Sequence, residues 1–142
     1  MQTRIFAYGT ILEGASDPRV AAAIDRYAER VDEGRVPGWL YDLGPFPGAI
    51  PHSPEDTRQA WVAGVILTLL DPRRVFQVLD PYEDCDPDRP RAGMYRREWA
   101  SATPLGEPAH PIRCQVYWLN KVPYYARRIE GGDWRAHIRA RR

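Results

Sequence analysis

Lysine is almost missing from this chain: Lys121 is the only one, and arginine supplies the rest of its 20 basic residues. We read that bias as base composition rather than as a phosphate-binding design. The acidic residues number 19, so the formal net charge is +1, and no bulk field draws the protein to nucleic acid or to an anionic membrane. Cysteine is scarce too. Cys85 and Cys114 form no C-x-x-C pair and make no disulfide framework for 142 residues, which points to a reducing compartment. His52, His110 and His137 have no H-x-x-x-H or cysteine ligand spacing, so the pattern argues against zinc, and no metal site is expected. A G-x-S-x-G elbow, a Walker loop and a G-x-G-x-x-G turn are all lacking. No early stretch reads as a secretory leader, and the apolar run Ile66–Leu70 is far too short to span a bilayer. The expectation is a cytoplasmic protein with no membrane segment and no nucleic-acid partner.

The chain does have apolar content, 44% of residues with 11% aromatic, enough for a real core in one domain spanning 1–142. Arg4–Tyr8 reads as a strand buried on both faces and ended by Gly9. Asp17 caps a helix with Pro18 at its first position, and Val20, Ala23, Ile24, Tyr27, Ala28 and Val31 recur at helical spacing until Gly34 closes it. Gly38–Leu43 reads as a strand, Gly44–Gly48 as a turn or irregular bend, and Pro51–Gln59 as an exposed loop. Trp61–Leu70, rich in β-branched residues, is the central strand. Asp71-Pro72 repeats the cap-plus-proline start, and the helix that follows is ended or kinked by Pro81. Asp84–Gly93 is a charged loop. Met94–Ala102 and Ile112–Leu119 form a hairpin, the second alternating Ile112, Cys114, Val116 and Trp118 against Arg113, Gln115 and Tyr117. The basic tail is expected to fray.

With nucleophile and metal patterns set aside, what remains is carboxylates, tyrosines and a Gly turn. Glu83, in the corner Pro81-Tyr82-Glu83-Asp84 at the end of a helical run, suits a general base held among aromatic and apolar neighbours. The turn after the first strand, at Tyr8-Gly9-Thr10-Ile11, presents backbone N–H groups to an anion. Each residue has an ordinary alternative. Glu83 pairs with Arg89, Arg91 or Arg96, Tyr95 and Tyr117 are strand tyrosines, Tyr8 packs, and Cys114 is a buried structural thiol.

Taken together, Tyr8-Gly9-Thr10 followed by Leu12, Leu79-Asp80-Pro81-Tyr82-Glu83, Tyr95-Arg96-Arg97, Val116-Tyr117 and the tail Gly131-Gly132-Asp133-Trp134 resemble the gamma-glutamyl cyclotransferase-like superfamily, in this order from Phe6 to Trp134. The resemblance is to its short bacterial gamma-glutamylamine cyclotransferase-type members. It implies an α+β fold, a small mixed β-barrel flanked by helices, with one cavity at the barrel mouth. It implies a cofactor-free reaction in which a gamma-glutamyl amide cyclises to 5-oxoproline and releases an amine or amino acid. The glutamate of the family falls on Glu83 as general acid/base, and its substrate loop on Tyr8, Gly9, Thr10 and Ile11. Tyr95 matches a tyrosine near the site that hydrogen-bonds the glutamate or substrate, and Tyr117 is a further substrate contact. The partner expected is therefore a small gamma-glutamyl compound. The chain departs from the pattern at Ile11, where many members have Asn or Leu, at Asp84, where many have Gly, and in the long insertion Cys85–Gly93. The alternative to an enzyme is a small-molecule binding module on the same fold.

Overall fold

The computed structural model describes residues 2–11, 17–53 and 55–141. Leu12, part of the motif at the first turn, lies outside the described residues. The element order is β1 (Thr3–Ala7), α1 (Pro18–Tyr27), β2 (Ala28–Asp42), β3 (Pro47–Pro51), β4 (Trp61–Leu69), α2 (Pro72–Tyr82), β5 (Tyr95–Pro104), β6 (Ile112–Leu119), β7 (Arg127–Arg128) and α3 (Trp134–Ala140).

The apolar strand β4 lies between two antiparallel neighbours. It pairs with β1 from Thr3–Leu69 to Ala7–Val65, and with β2 from Ala28–Leu69 to Pro37–Trp61. On its other side β1 runs parallel to β6, with Ile5 opposite Gln115, and β6 forms a long antiparallel hairpin with β5. Strand β5 then reaches β2 at Gly34–Pro104 and Arg35–Thr103, which closes a mixed barrel of 5 strands. Closure leaves those strands without a long open edge. The far end of β2 leaves the barrel to pair with β3 and β7.

Alternation along the strands sorts the core into two layers. Ile5, Ala7, Leu67 and Leu69 point to one side, where they meet Val20 of α1 and Val75 and Leu79 of α2. Phe6, Tyr8, Val62, Ile66, Val116 and Trp118 point to the other, with Trp134 of α3 packed among them. Burying one such large side chain fully stabilises the fold by about 1.5–3 kcal/mol. The Gly-Asp-Trp tail has a physical role in this second layer. Gly132 sits at φ +67 with its carbonyl accepting the Ala63 N–H, and a Cβ there would lie 1.9 Å from the Trp61 carbonyl oxygen. Asp133 then caps α3 through the Ala136 N–H, which holds the basic tail in a helix rather than a frayed end. Gly132→Ala is expected to cost more than about 2 kcal/mol in urea unfolding, from combined clash and backbone strain.

Three sequence expectations are corrected. The first helix ends at Tyr27, not near Gly34, because residues from Ala28 onward join the β4 edge as part of a 15-residue strand. Covering that apolar edge outweighs helix propensity in a stretch whose only large apolar residue is Val31. Val31 itself falls in a register shift between Arg30 and Asp32 and is 44% exposed. The bend expected over Gly44–Gly48 stops at Phe46, since Pro47 and Gly48 already pair with Asp42 and Tyr41 in β3. Alternation in β6 also fails at Gln115 and Tyr117, which are buried, because helices cover the outer face as well.

Candidate active site

The second helix positions Glu83 through its ending. Its closing turn carries the hydrogen bonds of a Schellman motif: Cys85 N–H to Asp80 C=O at 2.8 Å and Asp84 N–H to Pro81 C=O at 3.1 Å. The residue between cap and exit in that motif takes the left-handed conformation, and Asp84 does so at φ +49. Glycine, the residue the family pattern implies at this position, adopts that conformation without strain. Aspartate is tolerated because its Oδ2 accepts the Met94 N–H at 3.0 Å, tying the helix exit to the start of β5. Asp84→Ala should therefore destabilise the protein by about 1–2 kcal/mol, while Asp84→Gly, which regains backbone freedom as it loses the side-chain bond, should stay within about 0.5 kcal/mol. Thermal unfolding of the two variants checks this.

Glu83 is the cap residue of this turn, at φ −87 and ψ 5, and its side chain lines a cavity of about 340 Å³. It is half-buried, and among the described residues no donor reaches its carboxylate and no ion pair holds it. Arg96, one alternative partner, instead binds Glu98 and the Leu119 carbonyl. Burial pushes the Glu83 carboxyl up to about 7.

The Gly turn supplies another part of the lining, with Tyr8, Gly9, Thr10 and Ile11 all on the cavity wall. The N–H groups of Gly9, Thr10 and Ile11 have no acceptor among the described residues. A side-chain bond spans the two motifs: Thr10 Oγ1 and the Tyr82 hydroxyl lie 2.8 Å apart. Gly9 is there for close approach, since a Cβ would come within 2.9 Å of Pro47 Cγ. Gly9→Ala is expected to raise KM for any ligand of the turn by about tenfold, through displacement of Pro47 and the turn together.

The tyrosines line the same cavity, but their hydroxyls are already engaged. Tyr8 donates to the Tyr117 carbonyl at 2.6 Å and accepts from the Ala49 N–H. Tyr95, expected to hydrogen-bond the glutamate or substrate, donates to the Pro47 carbonyl at 2.6 Å, a bond that fixes β3 against β5. Tyr117 donates to Asp80 Oδ1 at 2.6 Å, and Asp80 is held in turn by both Arg97 Nε and Nη2 at 3.0 and 3.1 Å. The Arg97 guanidinium rests 3.8 Å from the Phe76 ring centroid. Burial raises all three phenols far above the ordinary tyrosine range, helped by the bonded Asp80 carboxylate at Tyr117 and by the nearby Glu83 charge at Tyr8 and Tyr95. They stay neutral and present rings to the cavity. Sequence reasoning named Asp80 and Arg97 within motifs without giving either a role or pairing them. A buried acid facing an arginine on a distant strand leaves no trace in spacing. Burial also pushes the Cys114 thiol up to about 12, which suits an inert core residue.

A closed mixed barrel with its cavity between a Gly turn and a helix end defines a class of small α+β protein. The chain belongs to the gamma-glutamyl cyclotransferase, AIG2-like family, whose model matches residues 5–136. Its fold is shared with an AIG2-like protein from Mus musculus at 21% identity, TM-score 0.63, covering 87% of this chain and 82% of that one. YtfP from Escherichia coli is similar at 21% identity and TM-score 0.55, covering 96% and 99% of the two chains. A protein described as gamma-glutamyl cyclotransferase is similar at 16% identity and TM-score 0.51, over 89% and 70%. No curated protein matches the sequence. At these identities the structural likeness establishes the fold alone.

Proposed function

We propose that the protein is a cofactor-free gamma-glutamyl cyclotransferase in which Glu83 is the general acid/base. The observation that carries this reading is a half-buried carboxyl sharing one cavity with three backbone N–H groups, none of which has a partner among the described residues. Membership of the family supports it.

The α-ammonium group of a gamma-glutamyl amide must lose a proton before its nitrogen can attack, and a carboxylate with a pKa near 7 is matched to that task. The freed amine attacks the γ-carbonyl carbon, and a ring C–N bond forms. Glu83 returns its proton to the departing nitrogen as the old C–N bond breaks, solvent carries the second proton exchange, and 5-oxoproline and a free amine result. The Gly9–Ile11 donors hold the glutamyl moiety or the oxyanion, the loss of one oxyanion donor costing roughly 3–4 kcal/mol of barrier. The aromatic walls keep the glutamyl chain folded for an intramolecular attack.

The test is 5-oxoproline release from a panel of gamma-glutamyl amines and amino acids, with Glu83→Gln alongside. Release by the native protein and its loss in the variant would support the reading. Binding of a panel member without release would favour a binding module. If Glu83 must be ionised to act, kcat/KM should climb with pH through about 7 and level off above it, whereas a profile flat from pH 5 to 8 would remove Glu83 as the base.

A further inference from the structure

The tail motif Gly131-Gly132-Asp133-Trp134, which the reaction above does not use, carries α3 back onto the end of β2. Just before it, β7 pairs Arg127 and Arg128 with Asp42 and Tyr41, and the Ile129 N–H donates to the Leu40 carbonyl at 2.8 Å. After the turn at Gly132 and the cap at Asp133, Trp134, His137 and Arg141 follow at three- and four-residue spacing and share one face of the helix. Trp134 is buried, and its indole backs both polar side chains. The His137 ring centroid lies 5.8 Å from that of the indole, and the Arg141 guanidinium 5.7 Å from it.

These two side chains converge on a single carboxylate. His137 Nε2 lies 2.7 Å from Asp42 Oδ2, and Arg141 Nη1 donates to the same oxygen at 3.2 Å. The other oxygen, Oδ1, accepts the Gly44 N–H at 2.7 Å, and Arg141 Nη1 also reaches the Gly44 carbonyl at 3.3 Å. Burial alone would raise the Asp42 carboxyl, but the His137 bond, the Gly44 N–H and the Arg141 charge outweigh it and hold it below the usual carboxylate range. Asp42 is an ionised anchor between α3 and the bend at residues 44–46.

That bend is a wall of the cavity. Pro45, Phe46 and Pro47 line the space that Glu83 and the Gly turn share. At the Pro47 end the wall is fixed, since the Pro47 carbonyl accepts from Tyr95 and the ring leaves no room for a Cβ at Gly9. At the other end it turns through Gly44, at φ +106, with a backbone bond from the Leu43 N–H to the Phe46 carbonyl at 3.1 Å. A short bend of this kind, partly exposed and hinged on glycine, opens at low free energy unless something outside it holds it. We infer that α3 is a working part of the cavity: His137 and Arg141 are positioning residues that act through Asp42 and Gly44 to hold the Phe46 wall where a ligand meets it. The inference rests on this cavity being the site of the reaction proposed above. Packing of Trp134 into the core does not require α3 to aim charge-assisted bonds at one carboxylate and one carbonyl of the wall. Glu83 is carried by α2 and the Gly turn by the end of β1, so release of the bend should weaken ligand binding and leave the chemical step alone.

The double variant His137→Ala with Arg141→Ala removes both grips and keeps Trp134 and Asp42. For the gamma-glutamyl amide of butylamine, its KM should rise about tenfold with kcat within about twofold of native. His137→Gln alone, which keeps a donor near the place of Nε2, should stay within about twofold of native in both. Amide hydrogen exchange reads the same clamp without a ligand. In the double variant the Leu43 and Gly44 amides should exchange at least about tenfold faster, while the Ala49 amide, held by the Tyr8 hydroxyl at 3.1 Å, keeps its rate. Faster exchange of all three together would mean general destabilisation, and an unchanged KM beside a loosened bend would mean a wall that no ligand meets. Either result would overturn the inference, and 5-oxoproline release would leave the cyclotransferase reading standing. If the native protein releases none, calorimetry with the same amide decides: a Kd about tenfold weaker in the double variant keeps the positioning role and removes the reaction. Equal Kd values, or no binding by either protein, would overturn both.

Discussion

Replacing Glu83 with glutamine is expected to lower kcat/KM by roughly 10²- to 10⁴-fold and, in the same protein, to raise stability above pH 7. The two effects share one cause. Burial raises the Glu83 carboxyl from 4.5 to about 7, so the folded state holds its proton more tightly than the unfolded chain does. As pH rises from about 4.5 to about 7, the native protein must either keep that proton or hold a charge in a poorly solvated place. Stability therefore falls across this window and is level beyond it, by as much as about 3 kcal/mol at the full shift. Glutamine keeps the shape and has no charge to desolvate. Urea unfolding at pH 4 should find the two proteins nearly equal, and at pH 8 the variant should be the more stable by about 1–3 kcal/mol. Equal stability at both values would mean that Glu83 is well solvated, and the argument for its raised pKa would go with it. A site kept at a cost in stability is expected where a group must change protonation state during the reaction.

Asp80→Leu should be the most damaging change near the cavity that touches no ligand, costing about 3–5 kcal/mol in urea unfolding. It removes the carboxylate that receives two bonds from Arg97 and one from Tyr117, and leaves a mostly buried guanidinium unpaired. The cost belongs mainly to that stranded charge rather than to the net worth of the pair. The double variant Asp80→Leu with Arg97→Met should thus recover at least about half of the loss. Tyr117→Phe, which leaves Asp80 with Arg97, should cost only about 1 kcal/mol. Were the double variant no more stable than Asp80→Leu alone, the cluster would be held by packing and not by charge. The cluster also bears on the site: it joins α2, which carries Glu83, to β5 and β6, which carry the cavity tyrosines. If Glu83 is the base, Asp80→Leu should lower kcat more than it raises KM at a temperature where the variant is folded, because Glu83 is displaced while the Gly turn stays in place.

Much of the site was legible in the residues because it is built from local motifs. The strand ending in Tyr8-Gly9, and the helix carried to Glu83 by a cap at Asp71 and a break near Pro81, each follow from neighbours within a few positions. Even the departure at Asp84 has a local account, since the left-handed exit of a Schellman turn favours glycine and accepts aspartate. The hydroxyl partners were not legible. Tyr95 was expected to hydrogen-bond Glu83 or substrate; it lines the cavity beside Glu83, and its hydroxyl bonds the Pro47 carbonyl, 48 positions away in sequence. Strand spacing says which side a tyrosine points to, but not which carbonyl the opposite element offers there.

The sequence by itself determined the periodic parts: the apolar strand at Trp61–Leu69, the capped helix ahead of Glu83, the hairpin of β5 and β6, and through the order of its motifs the family. Only the tertiary structure decided that Ala28–Gly34 is strand and not helix, because the unpaired edge of β4 is a demand made by a partner distant in sequence, from Leu69 opposite Ala28 to Gly64 opposite Gly34. It alone decided that no described residue pairs with Glu83 while Asp80 is tied to Arg97. Whether a carboxylate is stabilised or left proton-hungry depends on burial and on the nearest cation, both properties of the packed chain and not of the residue.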